Sequence, residues 1–202
     1  MNAHIKINQP EIASARDLNE LAKHRGWAVL CDVACRFTLS SLGELHSLWR
    51  SKAGSGGIPS RREITPRLLK SYMNMLTLHE RVAHPDGSRR YRVRLMGSGI
   101  ARVAGEASGK FYDEFLPTKD VPRWNAMNDA VLGHGAPVRT LVRADAFDKT
   151  YLTGEFFSAP LLAGDGTASL VLAVGRFDGH RRWEEVEAEA RRQVDAEPVP
   201  VS

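Results

Sequence analysis

The 202-residue chain offers few places where side chains could do chemistry, and the most suggestive is the run "YRVRLMGSGIARVAG" over residues 91–105. A strand feeding a glycine turn and then a helix is where the phosphates of a dinucleotide would be cradled by helix N-terminal N–H groups. The pattern departs from that chemistry at two points. Arg102 stands where a G-x-G-x-x-G cradle needs its third glycine, which removes the close helix–strand packing that glycine permits. Downstream, "EASGKFYDEFLPTKDVPRW" has helix and loop composition. The cradle instead requires a second buried strand whose acid, about 20 residues on, holds a ribose. The glycines therefore call for a structural explanation.

Other chemistry is equally thin. The seven histidines (His4, His24, His46, His79, His84, His134 and His180) form no H-x-x-x-H pair, and no G-x-S-x-G elbow is present. Cys31 and Cys35 are the only cysteines, with His24 the one further ligand nearby. Zinc wants four ligands, so no metal is expected and the pair reads as two reduced thiols. Asp113 and Glu114 are neighbours on a short helix, where adjacent side chains diverge rather than share a proton. No catalytic residue is expected, and the chain does not read as an enzyme.

The bulk composition agrees with a single globular domain plus extensions: 43% hydrophobic, 26% charged, net charge +4. No apolar run approaches the ~18 residues of a membrane span, and the polar N-terminus lacks a signal-peptide core. A cytoplasmic protein is expected. Basic residues gather in "SRREITPR" and "SRRYRVR", yet Arg90, Arg92 and Arg94 alternate with Tyr91, Val93 and Leu95. That is the pattern of a half-buried strand with arginines on its wet face, so nucleic-acid binding is the weaker alternative.

The elements follow from capping and periodicity. Ser14 with Asp17 caps a helix over about residues 15–25, ended by Gly26. "WAVLCDVACRF" fits helix and strand spacing equally. Ser41 with Glu44 makes a second capping box for a helix with Leu42, Leu45, Leu48 and Trp49 on one side, and "KAGSGGIP" is a flexible joint. Pro66 opens a short helix. Strands are expected near 73–83, 89–96, 137–147, 151–162 and 168–178, with turns at Asp86-Gly87 and Gly164-Asp165-Gly166. Helices are expected at 97–104, 109–116 and 119–132, with Ser98 capping the first. Strands at the ends and helices in the middle make the fold α+β. "HRRWEEVEAEARRQVDAE" is a charged amphipathic helix carrying Trp183, Val186, Ala190 and Val194 in a narrow stripe, before a frayed "PVPVS" tail.

This order of elements is that of a PAS fold, and the motifs agree. Trp49, Pro59-Ser60-Arg61, Ile64 with Pro66, Arg94-Leu95 with Gly97-Ser98, Gly109, and Pro160-Leu161 with Asp165-Gly166 occur in the order and spacing of the stand-alone proteobacterial PAS family (PAS_5 type). The chain resembles that family over residues 45–178, departing from it at Ser98, where threonine is usual, and at Thr65, where an acid is common. The resemblance implies a five-stranded antiparallel sheet with short helices on one face. The expected organisation is an N-terminal helical extension (1–52), a PAS-like domain (53–178) and a C-terminal helix and tail (179–202).

It also implies a cleft between the central helix and the sheet. Val121, Trp124, Asn128 and Val131 share one helix side, and Phe156 with Leu170 or Leu172 would face them. The cleft is a plain packed core or the site of a small apolar ligand, with Asn128 as the polar contact. No cofactor is expected. Haem through His134 is disfavoured because that residue sits between two glycines past the helix end, and a flavin–thiol adduct because no cysteine follows residue 36. The expected role is a bacterial sensory module acting by contact with a separate signalling protein, such as a kinase or regulator, with no output domain of its own. A homodimer is expected, paired through the C-terminal stripe together with the apolar helix carrying Leu42, Leu45 and Trp49.

Overall fold

In a computed structural model, which describes residues 14–53, 57–84 and 88–195, the chain builds one antiparallel sheet wrapped by helices on both faces. The Asp86-Gly87 turn, part of the glycine-rich joint and the C-terminal tail lie outside the described residues. Helix α1 (Ala15–Arg25) starts where Ser14 Oγ accepts the Asp17 N–H at 3.2 Å. It stops at Gly26, whose φ of 65° favours glycine. The following segment, for which helix and strand spacing tie, is a strand: β1 (Val29–Asp32). A side chain decides the matter. From α1, Asn19 Nδ2 donates to the Cys31 carbonyl and Asn19 Oδ1 accepts the Cys31 N–H, both at 2.7 Å. One amide thus supplies the pairing that a further strand would give, and β1 joins the sheet.

The sheet therefore has six strands among the described residues, one more than expected. The others are β2 (Leu76–Ala83), β3 (Arg89–Met96), β4 (Val138–Ala144), β5 (Lys149–Leu162) and β6 (Ala168–Asp178). Their order is β1-β4-β5-β6-β2-β3, and every adjacent pair is antiparallel. Helix α2 (Ser40–Ala53) precedes β2, α3 (Ser98–Ala104) and α4 (Val121–His134) sit between β3 and β4, and α5 (Trp183–Asp195) closes the described chain. Several expected boundaries shift. Helix α2 begins at Ser40, so Ser41 falls inside it rather than capping it. The cap of α3 is Gly97, and Ser98 is its first helical residue. The segments opened by Pro66 and Gly109 tighten to 3-10 turns at Lys70–Met75 and Tyr112–Glu114.

Strand alternation sorts the core onto two faces. On one, Val93, Val138, Val142, Phe156 and Val171 pack against Leu18 of α1 and Ala130 and Val131 of α4. On the other, Phe157, Leu161, Leu172 and Val174 meet Leu42, Leu45 and Trp49 of α2. Helix α5 lies on this second face too, with Trp183 and Ala190 buried against Leu30 and Leu141. The C-terminal stripe is thus occupied by the chain's own sheet and is not the open pairing surface a dimer through it would need. Between α2 and α5, ion pairs pin the linker after β1. Burial alone would raise the Asp32 carboxyl, but Arg36 side-chain and backbone donors hold it below the ordinary range. Arg36 also donates to the Gln193 carbonyl of α5 at 2.7 Å.

Both outer edges of the sheet are closed at their centres. Asn19 occupies β1, as described. On β3, the Val93 N–H donates to the Lys110 carbonyl (2.9 Å) and its carbonyl accepts the Gly109 N–H (2.7 Å). Gly109, at φ 85°, makes the turn that brings this segment alongside.

Candidate functional site: an apolar cavity

The glycine turn is filled by the protein itself. A Cβ on Gly97 would lie 2.2 Å from the Met73 carbonyl oxygen, and one on Gly99 would lie 2.7 Å from that of Asn74. The Gly97 N–H is already given to Leu76 at 2.7 Å. These glycines let α3 press onto the 3-10 turn before β2.

That packing forms one wall of a cavity of about 60 Å³ between the sheet and the α3–α4 layer. One water needs roughly 10–15 Å³ on this measure, so the space suits about four waters or a single small ring. Trp124, Asn128 and Val131 of α4 line it, with Phe156 opposite. Val121 packs at the edge of the same core without reaching the cavity. The expected contribution of Leu170 or Leu172 is corrected by strand parity: both point to the α2 face, and Ala173 lines the cavity instead. His134 is half-buried at the end of α4 and is not a lining residue.

The family-motif positions lie elsewhere and hold the frame. Trp49 Nε1 donates to the Pro160 carbonyl at 3.1 Å. Pro59 and Arg61 flank Leu162 through backbone bonds of 3.0 and 2.9 Å, and the Arg61 guanidinium donates to the Ile64 carbonyl. Pro66 is exposed, and Arg94 pairs with Glu80 at 3.0 Å. With Gly97 and Gly109, none of them lines the cavity.

Two important groups escape sequence reasoning: His79 of β2 and Tyr112 of the 3-10 turn. Both are buried, and burial lowers the His79 pKa to about 4, which keeps the ring neutral. The neighbours then fix its tautomer. Asn128 Nδ2 donates to the Tyr112 hydroxyl (2.7 Å), which leaves the Tyr112 O–H to donate a hydrogen bond to His79 Nδ1 (2.8 Å). The single ring N–H of neutral His79 is then on Nε2 and donates to Thr77 Oγ1 at 2.9 Å. Tyr112 is held well above the ordinary phenol range by the same burial. Tyr91 stacks on it with ring centroids 5.8 Å apart and donates to Asp129 at 2.7 Å. Each proton of this relay is directed at a protein acceptor, so the relay shapes the cavity wall.

Among the described residues, no Asp, Glu, Lys or Arg lines the cavity, and aromatic rings dominate it: Phe115, Tyr112, Trp124, Phe147, Phe156 and Phe177. Among the described residues, no three His, Cys, Asp or Glu side chains gather as a metal set. Cys31 and Cys35 are free thiols, each pushed up to about 12 mainly by burial. On the opposite sheet edge the arginines carry their own counter-charges: Arg92 and Arg94 share Glu80, and Arg90 meets Asp113 at 2.7 Å. Among the described residues, no helix is long and apolar enough to cross a membrane.

An antiparallel sheet with short helices folded over a small apolar cavity is the frame these residues build. The family model for the PAS domain (PAS_5) matches residues 37–175, and the chain belongs to that family. Among solved structures, the chain is similar to a light-oxygen-voltage domain studied with a flavin analogue. The identity is 16%, with 65% of this chain and 94% of that one covered and a TM-score of 0.40. It is also similar to an RNA-binding light-oxygen-voltage receptor at 19% identity and a TM-score of 0.38, covering 71% of this chain but 42% of the receptor. No curated protein matches the chain.

Proposed function

We propose that the chain is a non-enzymatic regulatory module of the cytoplasm that admits a small uncharged molecule to its cavity and signals by contact with a separate signalling protein. The observation that carries this reading is the cavity itself: apolar, free of charged lining groups among the described residues, and walled by a helix layer that a ligand's presence would brace. Helix α5 is spent on its own sheet, so any two-fold pairing uses another surface. The nucleic-acid alternative loses support from the arginine face, whose charges are partly offset by Glu80 and Asp113.

Native mass spectrometry of the purified full chain tests the reading. We expect a colourless protein carrying one small neutral molecule, which Trp124→Ala releases, and capture of a signalling protein rather than nucleic acid from its host. A red or yellow preparation overturns the cofactor-free reading. Tight binding to random DNA that collapses as salt rises to physiological levels would favour the nucleic-acid alternative.

A further inference from the structure

One atom of the cavity wall fixes the polarity of what the cavity takes. Resting on the ligand-binding reading above, we infer that the occupant is an uncharged molecule of about one ring in size that carries a hydrogen-bond donor, a hydroxyl or N–H group. That donor meets Oδ1 of Asn128.

The neighbours of Asn128 settle which way its amide points. Its nitrogen lies 2.9 Å from the Trp124 carbonyl oxygen, which can only accept, and 2.7 Å from the Tyr112 hydroxyl. Both N–H groups are spent there. The oxygen at the other end of the amide receives no hydrogen bond among the described residues, although Asn128 lines the cavity and is only 6% exposed. Nor is it sealed in. The unpartnered side-chain atoms of α4 that water cannot reach include Trp124 Nε1 and Asn125 Oδ1, but not this oxygen. A buried amide oxygen ordinarily holds a partner, and the space that Asn128 borders is the cavity.

The other polar groups of the wall leave that choice to Asn128. Thr77, His79 and Tyr112 are bonded in series, and Thr77 Oγ1 donates onward to the Ala173 carbonyl at 3.5 Å. The Thr140 and Ser158 hydroxyls bond to each other at 3.1 Å, and a hydroxyl can turn to either role. An amide oxygen accepts only, so it selects a donor. Charge is excluded independently. Among the described residues no ionised side chain lines the cavity and His79 is held neutral, so an ammonium would be buried unpaired. The volume of about 60 Å³ sets the size, and Phe115, Trp124, Phe147 and Phe156 offer the rest of the molecule apolar contact.

Cyclohexanol and cyclohexanone share a ring and differ in the one group at issue: the first donates, the second only accepts. Each is titrated into the full chain, with cyclohexylammonium as the charged member, and two-dimensional NMR of the side-chain amide signals gives affinity and site together. We expect cyclohexanol to bind about tenfold more tightly than cyclohexanone, the effect of meeting one buried acceptor, and to shift the Asn128 amide signals selectively. In Asn128→Leu the two should bind alike, and cyclohexylammonium should bind neither protein. Equal affinities in the natural chain, a preference for cyclohexanone, a cyclohexanol preference that survives Asn128→Leu, or binding of the ammonium would each overturn the inference while leaving a ligand cavity standing. Binding of none of the three to the natural chain would overturn the cavity reading itself. Should Asn128→Leu fold poorly, the order of affinities and the selective shift in the unaltered chain decide the matter.

Discussion

Replacing Gly97 by alanine adds one methyl group at the tightest approach in the α3 region. At Gly97 the backbone has φ −72° and ψ 149°, values open to any residue, so conformational freedom is not at stake. The new Cβ would stand 2.2 Å from the Met73 carbonyl oxygen and 2.6 Å from the Asn74 carbonyl carbon. Ordinary contact requires the neighbours to withdraw by roughly 1 Å. Those neighbours are backbone atoms of the 3-10 turn that leads into β2, so they cannot yield by changing a rotamer. Overpacking of this kind costs about 2–3 kcal/mol, which at this chain length lowers the Tm by roughly 4–12 °C. Gly43 provides the control. It lies inside α2 with nothing within 4 Å of its would-be Cβ, so Gly43→Ala should stabilise by about 0.5–1 kcal/mol through helix propensity alone. Urea and thermal unfolding of both variants measure the two effects with opposite signs. If Gly97→Ala matched or exceeded the natural chain in stability, the close approach would not exist and the glycine turn would be free for another use.

Asn19→Leu keeps the bulk but leaves the Cys31 N–H and carbonyl unpaired. It should cost about 2–4 kcal/mol and speed hydrogen exchange across Val29–Asp32 selectively; unchanged exchange there would dismiss the edge-pairing role. The neutral His79 makes a pH prediction whose sign is fixed. Its folded pKa of about 4 lies below the unfolded value, so its contribution is full above about pH 6.5 and is lost as pH falls toward 4. Up to about 3 kcal/mol is involved. His79→Gln should be less stable near neutrality yet flatter across that window in urea titrations, and an undiminished slope would assign the loss to other groups.

What the sequence made legible were features set by local rules. Ser14 and Gly26 bracket α1 because capping depends on a few adjacent atoms. The β5–β6 hairpin shows through its alternation, with Phe156 and Phe157 on opposite faces. The α4 residues Trp124, Asn128 and Val131 recur at helical spacing and do meet at one cavity. What stayed hidden depends on distant partners. Strand or helix for 27–37 is decided by an amide twelve residues away at Asn19. His79 carries no periodic signal, and its role follows from Tyr112, thirty-three positions later in the chain. The parity of β6 was also out of reach, because alternating Leu170 and Leu172 with Val171 and Ala173 offers two apolar faces and only the β5 pairing chooses between them.

The closed sheet edges have a consequence for how copies of this chain can go wrong. Growth of a sheet by strand addition needs a row of free backbone groups, and here Cys31 is sealed by a helix side chain and Val93 by the Gly109–Lys110 segment. The two seals differ in kind. One is backbone against backbone within a short turn. The other travels with α1, so a fluctuation that lifts this helix bares the β1 edge while the rest of the sheet stays folded. Aggregation of the native protein should therefore follow the opening rate of α1 rather than global unfolding, which makes the first helix a guard on colloidal stability.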